Sequence, residues 1–208
     1  MHLDLGRFII RDWRAGDAEA LIHHANNRRV SINLRDTFPW PYTGRDAEEW
    51  IRTATTATPV THFAIEIDGE AAGGIGLRIG RDVFRQAAEI GFWLGEPYWN
   101  RGIVTEAVRA LTDYAFEHFP IVRIQAGVFD WNPASRRVFA KAGYAYEGCM
   151  RQTITKDGKV IDLHVYARLR DQGPVGGSAR AGARPRRGSA RPGAKRLPVR
   201  RKPARRGS

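Results

Sequence analysis

The sequence predicts an α/β fold: a single domain with a mixed, mostly antiparallel sheet of six to seven strands, flanked by about four helices. Two observations lead to this class. Short apolar stretches of alternating polarity recur between turn signals, which is typical of strands. Longer stretches repeat apolar residues at spacings of three and four, which is typical of helices that cover a sheet.

The first third of the chain predicts one strand and two helices. Residues 3–13 are apolar and partly alternating, so they predict the first strand. A helix should follow from Asp17, because apolar residues then recur on one helical face. Residues 30–43 contain two prolines and three aromatic residues and predict an irregular loop. Thr43, with an acidic residue three positions later, predicts the N-cap of the second helix.

The middle of the chain predicts three strands. Residues 62–80 read as two strands joined by Asp68 and Gly69, a common hairpin signal. Residues 87–95 predict the third strand. Because side chains alternate along a strand, one face should carry Glu89, Gly91 and Trp93, and the other Ile90, Phe92 and Leu94.

The remaining elements of the domain are a helix, a strand, a second helix and two strands. The apolar period from Val104 predicts a helix that ends near Pro120, and residues 122–129 predict a strand. The next helix should begin at Asn132, with Pro133 as its first residue. Two strands, near residues 144–148 and 160–169, complete the domain.

The positive charge of the chain is concentrated at its C-terminal end. Residues 1–171 hold 22 basic and 22 acidic residues, whereas residues 172–208 hold 12 basic residues and no acidic one. We therefore predict a neutral domain over 1–171 and a disordered, basic Arg/Ala/Gly/Pro-rich tail over 172–208. Two expectations stay open for this tail: a non-specific RNA or DNA contact through phosphates, or no selected role.

Composition also excludes several classes of site. Cys149 is the single cysteine, so neither an internal disulfide nor a cysteine-rich zinc site is expected. No cluster of His, Asp and Glu has metal-ligand spacing, and we expect no metal ion. The first residues lack a basic leader before an apolar core, and no uninterrupted apolar run approaches about 18 residues. We expect a soluble, cytoplasmic protein with no membrane partner.

Residues 96–108, EPYWNRGIVTEAV, place Gly102 directly before a predicted helix. A helix N-terminus presents unpaired N–H groups and the positive end of the helix dipole, so it binds anions. A glycine there lets a phosphate approach the backbone. The phosphate could come from a nucleotide, a dinucleotide or coenzyme A. The Gly-Lys-Ser/Thr ending of a Walker loop and the three spaced glycines of a dinucleotide fold are both absent.

Two motifs together carry a family resemblance. AEIGFWLGEPYWNRGIVTEAV, followed by NPASRRVFAKAGY, resembles the Gcn5-related N-acetyltransferase (GNAT) family, and most closely its branch that acetylates ribosomal-protein N-termini. The resemblance covers roughly residues 3–169. It implies a sheet splayed at the coenzyme site and acetyl-CoA as co-substrate.

The resemblance also implies roles for individual residues. Backbone amides of residues 100–105 would hold the coenzyme A pyrophosphate, and the strand 90–94 would pair with the pantetheine arm like an added strand. Asn132 would lie near the pantetheine, and Arg137 would reach a coenzyme phosphate. The predicted cofactor-binding residues are Phe92, Trp93, Leu94, Asn100, Arg101, Gly102, Ile103, Val104, Thr105, Asn132 and Arg137.

Three residues depart from the family pattern. Trp99 stands where the family often has Arg or Gln, and Val104 stands where it often has Gly or Ala. Since backbone amides make the main contacts, the coenzyme site should survive both changes. Phe139 stands where many members have a tyrosine that protonates the leaving thiolate, and phenylalanine cannot donate a proton. That role would pass to Ser135, to water, or to no group.

Two side chains are predicted to be catalytic. Glu89 is the candidate base that removes a proton from the amine, directly or through a water; in the alternative reading it attracts the substrate cation or pairs with an arginine. Ser135 is the candidate acid for the thiolate, and the alternative reading makes it a local helix cap. A backbone N–H of residues 92–94 is expected to stabilise the oxyanion.

The predicted function is transfer of an acetyl group from acetyl-CoA to a primary amine by direct attack in a ternary complex. The branch resemblance favours a protein N-terminal α-amine of the ribosomal-protein type. The alternative acceptor is a small amine such as an aminoglycoside or a polyamine. A second alternative, from another class, is a catalytically degenerate module that docks on nucleic acid or the ribosome through the basic tail; Phe139 and Val104 keep this reading open. The oligomeric state is left undetermined.

Overall fold

The computed structural model describes residues 1–170. The five α-helices in this part of the chain are α1 Ala18–Ala25, α2 Arg28–Ser31, α3 Gly44–Thr56, α4 Ile103–His118 and α5 Pro133–Lys141. The eight strands are β1 His2–Asp4, β2 Ile9–Asp12, β3 His62–Ile67, β4 Glu70–Ile79, β5 Ala87–Leu94, β6 Arg123–Phe129, β7 Ala145–Lys156 and β8 Lys159–Leu169. The domain boundary at 171 and the basic tail 172–208 lie outside the described residues, so both remain predictions.

The strands form one sheet in the order β1-β2-β3-β4-β5-β6-β8-β7. Every neighbouring pair is antiparallel except β5 and β6, which are parallel and are connected by α4. The predicted α/β class and the mixed, mostly antiparallel sheet are therefore confirmed.

The element counts differ from the expected six to seven strands and four helices. The stretch predicted as one strand folds back on itself as β1 and β2, with Gly6 in the turn between them at a φ of +77°. The extra helix, α2, overlaps the start of the predicted loop. Asn27 caps α2 by accepting a hydrogen bond from the amide of Arg29 at 2.8 Å. Both elements are too short to carry a periodic pattern.

Local signals placed several boundaries correctly. Thr43 and Asp46 form the predicted capping box of α3. Asp68 and Gly69 have φ values of +51° and +85° in the turn between β3 and β4, as a tight hairpin of this kind requires. Asn132 caps α5, as predicted.

The sheet separates two apolar clusters, one on each face. The cluster under α4 and α5 contains Phe63, Leu111 and Phe139, and the cluster under α1 and α3 contains Trp13 and Leu21. The two faces of β5 follow the predicted alternation, because Ile90 and Leu94 belong to the first cluster and Trp93 to the second.

The sheet splays open between its two parallel strands. β5 and β6 pair only over Ala87–Glu89 and Arg123–Gln125. Beyond Glu89, β5 continues to Leu94 paired with β4, while β6 continues to Phe129 paired with β8. A wedge therefore opens in the middle of the sheet, and one edge of residues 90–94 is free of a neighbouring strand.

Candidate functional site

A cleft of about 1470 Å³ occupies this wedge and reaches both faces of the sheet. On one face it is bounded by α4 and α5, and on the other by α3, the loop 33–42 and the tip of the β7–β8 hairpin. All thirteen predicted site residues line it: Glu89, Phe92, Trp93, Leu94, Asn100, Arg101, Gly102, Ile103, Val104, Thr105, Asn132, Ser135 and Arg137. Lining the cleft is compatible with each role, and the individual roles stay predictions.

The loop before α4 presents its backbone to the cleft. Gly102 is the N-cap of α4 at a φ of +80°, a left-handed conformation that favours glycine. A Cβ at this position would meet no atom closer than Arg7 Nη2 at 3.9 Å, so the space over the backbone is open. Among residues 1–170, no acceptor pairs with the amides of residues 100–105. These amides and the dipole of α4 are free to bind an anion.

Arg7 holds this loop in place, although no motif in the sequence marks it. Its Nη1 donates to the carbonyl of Arg101 at 3.0 Å, and its Nη2 donates to Glu106 Oε1 at 2.6 Å. Glu106 lies in the first turn of α4, where an unpaired carboxylate would repel a bound phosphate. Arg7 therefore neutralises Glu106 from the turn between β1 and β2, about a hundred residues away in sequence.

The two departures beside Gly102 have structural explanations. The indole N–H of Trp99 donates to the carbonyl of Leu94 at 2.7 Å, which ties the loop to the end of β5. Val104 packs partly buried against the apolar cluster under α4. Neither side chain replaces a backbone amide, so the donors of residues 100–105 are retained.

The start of α5 brings a second set of polar groups to the cleft. Asn132 Oδ1 accepts a hydrogen bond from the amide of Ser135 at 3.0 Å. The hydroxyl of Ser135 makes no hydrogen bond with residues 1–170, and the side chain is half-buried on the cleft wall. Arg137 and Lys141 are exposed at the rim of the cleft as cations suited to a phosphate. Lys141 was missed because its position at the end of a helix resembles an ordinary solvated lysine.

Phe139 lies in an aromatic cluster instead of donating a proton. It is 3% exposed, and its ring centroid is 5.5 Å from that of Phe92 and 5.2 Å from that of Tyr144. Burial raises the pKa of Tyr144, whose hydroxyl pairs with Thr112 Oγ1 at 2.7 Å. Tyr144 is therefore a poor replacement acid, and Ser135 as the thiolate acid stays a prediction.

Glu89 is engaged by two arginines. One carboxylate oxygen accepts from Arg35, on the loop 33–42, and the other accepts from Arg78 on β4. This geometry agrees with the alternative reading of Glu89 as an ion-pair partner. Each carboxylate oxygen keeps a second lone pair, so the two ion pairs do not by themselves exclude proton acceptance. Its role as the base stays a prediction.

The loop 33–42 is tied to the β7–β8 hairpin as well as to Glu89. Lys156, which is 5% exposed, donates from Nζ to Asp36 Oδ1 at 2.6 Å. Arg28 at the start of α2 forms an ion pair with Asp157 in the hairpin turn. These contacts make the loop a fixed wall of the cleft on the side opposite α5.

His62 on β3 also lines the cleft and was not among the predicted site residues. Its ring meets that of Trp50 edge-on, with centroids 5.3 Å apart. Burial, and then the charge of Arg78, lower the pKa of His62 below its usual value. In the sequence His62 is a single histidine at the start of a strand, without a motif.

A comparison with protein families identifies the family to which this chain belongs. A family model described as an acetyltransferase (GNAT) domain matches residues 7–145. The chain belongs to the Gcn5-related N-acetyltransferase family. It is an acyl-CoA-dependent N-acetyltransferase with acetyl-CoA as co-substrate. The unpaired amides at α4 and the free edge of β5 fit a phosphate-bearing coenzyme with an extended arm.

Individual relatives agree with the family. The chain is 43% identical over 84 residues to a probable N-acetyltransferase, YjcK, of Bacillus subtilis, a match over 40% of this chain and 46% of that protein. It is 31% identical over 86 residues to the ribosomal-protein-serine acetyltransferase of Escherichia coli, over 41% and 48% of the two chains. These two matches span about half the length of each relative.

A solved structure shares the fold over nearly its whole length. RimL, described as a ribosomal L7/L12 alpha-N-protein acetyltransferase in complex with coenzyme A, has a TM-score of 0.73 at 21% identity, covering 81% of this chain and 98% of that chain. Within residues 1–170, no helix is long and apolar enough to span a membrane. Over the same residues, no group of three or more His, Cys, Asp or Glu side chains is arranged to hold a metal ion.

Proposed function

We propose that this protein acetylates the N-terminal α-amine of a protein, and the single observation that carries the proposal is the form of the cleft. The cleft reaches from α5, across the splayed strands, to a second mouth walled by α3, the loop 33–42 and the β7–β8 hairpin. A polypeptide end can enter this mouth while the coenzyme occupies the other. The names of the relatives that act on ribosomal proteins support the same acceptor class.

The coenzyme side is proposed to use the residues predicted from sequence. Amides of residues 100–105 bind the pyrophosphate, and the free edge of residues 90–94 pairs with the pantetheine arm. Asn132 and Ser135 lie along the same wall, and Arg101, Arg137 and Lys141 supply positive charge near the phosphates.

The acceptor side carries charge suited to an ammonium group. Asp46 and Glu49 project from α3 into the cleft lining. Hydrogen bonds from Thr43, first through its side chain and then through its backbone, lower the pKa of Asp46, which therefore stays ionised at neutral pH. Both carboxylates attract a protonated amine toward the cleft.

An α-amine is also the easier nucleophile to generate. Its ordinary pKa is about 8, against about 10.4 for a lysine side chain. Near neutral pH a far larger fraction of an α-amine is already uncharged, so less proton removal is required of the site.

The proposal is tested with a panel of amines and the full-length protein. The panel holds a peptide with a free N-terminal Ser or Ala, the same peptide blocked at its N-terminus but containing an internal Lys, a polyamine, and an aminoglycoside. We expect kcat/KM for the free peptide to exceed that for the blocked peptide by about 100-fold or more, a difference of ~3 kcal/mol in transition-state binding.

The other outcomes are equally informative. Faster turnover of the polyamine or the aminoglycoside would overturn the α-amine and favour a small-molecule acceptor. Tight coenzyme binding without turnover of any amine would favour the degenerate binding module. Coenzyme binding is measured separately by calorimetry, so failure of the acceptor and failure of the coenzyme site are distinguished.

A further inference from the structure

Three residues paired across neighbouring strands form a row, and this row places His62 on the acceptor side of the cleft. His62 on β3 is paired with Gly76 on β4, and Gly76 is paired with Gly91 on β5. Partners in such a row project to the same side of the sheet. Glu89 lies on the same side of β5, one row further along, opposite Arg78.

The two glycines leave the floor of this row without side chains. No atom lies within 4 Å of a Cβ built on Gly91, which is exposed to the cleft. A Cβ built on Gly76 would lie 2.6 Å from His62 Cδ2, which is closer than real contacts allow. The ring edge that carries Cδ2 therefore lies over Gly76, the residue that separates His62 from Gly91 in this row.

The β5 end of this row lies where strands β5 and β6 separate. Strand β5 loses its β6 partner directly after Glu89, so Gly91 is among the first residues on the free edge. His62 and Gly91 both line the cleft on the α3 side, where the acceptor is proposed to enter. Trp50 closes this space from α3.

The hydrogen bonding of His62 leaves Nε2 available. Its Nδ1 is 3.2 Å from Thr61 Oγ1, and no partner within residues 1–170 pairs with Nε2. In the tautomer in which Nδ1–H donates to Thr61, Nε2 keeps its lone pair and can accept a proton. Glu89, by contrast, has both oxygens bound by guanidinium groups.

We propose that His62 is a catalytic residue, and that its Nε2 accepts the proton that the acceptor amine loses during acetyl transfer. The nitrogen–carbon bond to the acetyl group forms as the carbon–sulfur bond breaks. One proton leaves the nitrogen for His62, and the sulfur takes up one proton from the solvent of the cleft. The imidazolium then returns its proton to solvent. For a neutral amine, one proton is released and one is taken up, so no net proton is released.

The surroundings of His62 suit this role. The charged groups on the elements around it are Arg78 on β4, Glu89 on β5, Arg35 on the loop, and Asp46 and Glu49 on α3. Burial is the larger cause and Arg78 the second cause of the lowered pKa, which keeps the imidazole neutral at pH 7. A neutral imidazole is the form that accepts a proton. Glu89 then acts as a positioning residue that pairs with Arg35 and Arg78.

The test compares four variants of the full-length protein. His62→Gln removes the proton acceptor, and kcat should fall by about 100-fold to 10,000-fold, the range of general base catalysis. The acceptor KM and the Kd of coenzyme A should change by less than about threefold if the loss is confined to the proton transfer step. His2→Gln, at an exposed histidine on β1 outside the cleft, is the matched control and should keep full activity.

Gly76→Ala moves the imidazole without removing it. The added methyl group would lie 2.6 Å from His62 Cδ2 and 3.0 Å from the carbonyl oxygen of Thr61, so the ring and the backbone at Thr61 have to shift. We expect kcat to fall by about tenfold to 100-fold while coenzyme binding is kept. Unfolding midpoints of all variants show whether each one is folded. A kcat in His62→Gln within about fivefold of the wild type would overturn the proposal, and it would do so most clearly if Glu89→Gln were inactive.

A second readout is independent of the acceptor. The imidazole of His62 is titrated by NMR in the coenzyme A complex, with His62→Gln used to assign its signal. A pKa below the usual histidine value supports the proposal, and a pKa above about 7 overturns it, because His62 would then be protonated at neutral pH. The inference rests on acetyl transfer to an amine, not on which amine. If no amine of the panel were acetylated, the proposed function would be contradicted. The titration would still show whether the imidazole of His62 is neutral at pH 7.

Discussion

The coenzyme side and the acceptor side of the cleft are built from different parts of the polypeptide. The coenzyme side comes largely from one continuous stretch, residues 90–105, and it offers backbone amides and a free strand edge. The acceptor side comes from β3, β4, α3 and the loop 33–42, and it offers side chains.

This difference determines how each side tolerates substitution. A backbone amide is present whatever the side chain, so Trp99 and Val104 can depart from the family pattern without removing a donor. On the acceptor side each function depends on one side chain and its neighbours. The coenzyme side therefore tolerates side-chain changes that the acceptor side does not.

The largest expected effect is on the coenzyme side, where Gly102→Asp should abolish or strongly weaken the binding of coenzyme A. The aspartate would place a negative charge beside the phosphate site and strain the left-handed backbone. We expect coenzyme A to bind at least about 100-fold more weakly, since close like charges cost several kcal/mol. Calorimetric titration of the folded variant with coenzyme A measures this loss.

Two controls separate the causes of that loss. Gly69→Asp introduces the same residue at a similar φ of +85° in the β3–β4 turn, outside the cleft, and should keep coenzyme affinity. Val104→Ala changes only a side chain at the site and should alter affinity by less than about threefold, since the net effect of small apolar changes at a partly exposed position is modest. A loss of binding in Gly69→Asp would mean that strain, and not charge at the site, is responsible.

A smaller loss of coenzyme affinity is expected from Arg7, whose side chain supports the loop that offers the backbone amides. Arg7→Ala removes the hydrogen bond to the carbonyl of Arg101 and leaves Glu106 unpaired beside the phosphates. Both partners of the ion pair are substantially exposed, so solvent screens the effect. We expect coenzyme affinity to fall by about threefold to tenfold, as measured by the same titration. Arg52→Ala, on the exposed face of α3, is the matched control.

The smallest effect concerns the pH dependence of stability on the acceptor side. Burial and Arg78 lower the pKa of His62 in the folded state, so the unfolded chain takes up a proton first as the pH falls below about 6.5. The free energy of unfolding should therefore decrease from pH 7 toward pH 5. In His62→Gln this decrease should be smaller, as measured by urea unfolding at several pH values. An unchanged slope would contradict the lowered pKa.

Local sequence signals predicted most of the fold. The capping box at Thr43, the turn at Asp68 and Gly69, and the cap at Asn132 each depend on residues within four positions of one another. The helical period of α4 and the alternation of β5 are also local. The predictions failed at β1 and α2, because elements of three or four residues are too short to show a period.

The residues of the site likewise fall into those that local motifs predicted and those that they did not. All thirteen predicted residues line one cleft. They were found because each lies within one of two motifs that are contiguous in sequence, and the fold brings the two motifs together. Arg7 and His62 were missed, since each gains its place only through contacts with distant elements, and Lys141 was missed because it resembles a solvated lysine at the end of a helix. The pairing of Glu89 with Arg35 and Arg78 was anticipated only as an alternative, because the two arginines come from a loop and from another strand.

The sequence by itself determined the family and the coenzyme class through the resemblance of two short motifs, and it placed a glycine directly before α4 because that residue type leaves the backbone open. Only the tertiary structure decided what surrounds the acceptor amine. Side chains of β3, β4, β5 and the loop 33–42 meet there through strand pairing and ion pairs between residues far apart in the chain. No local pattern records such pairing, since its free energy depends on the packed sheet as a whole.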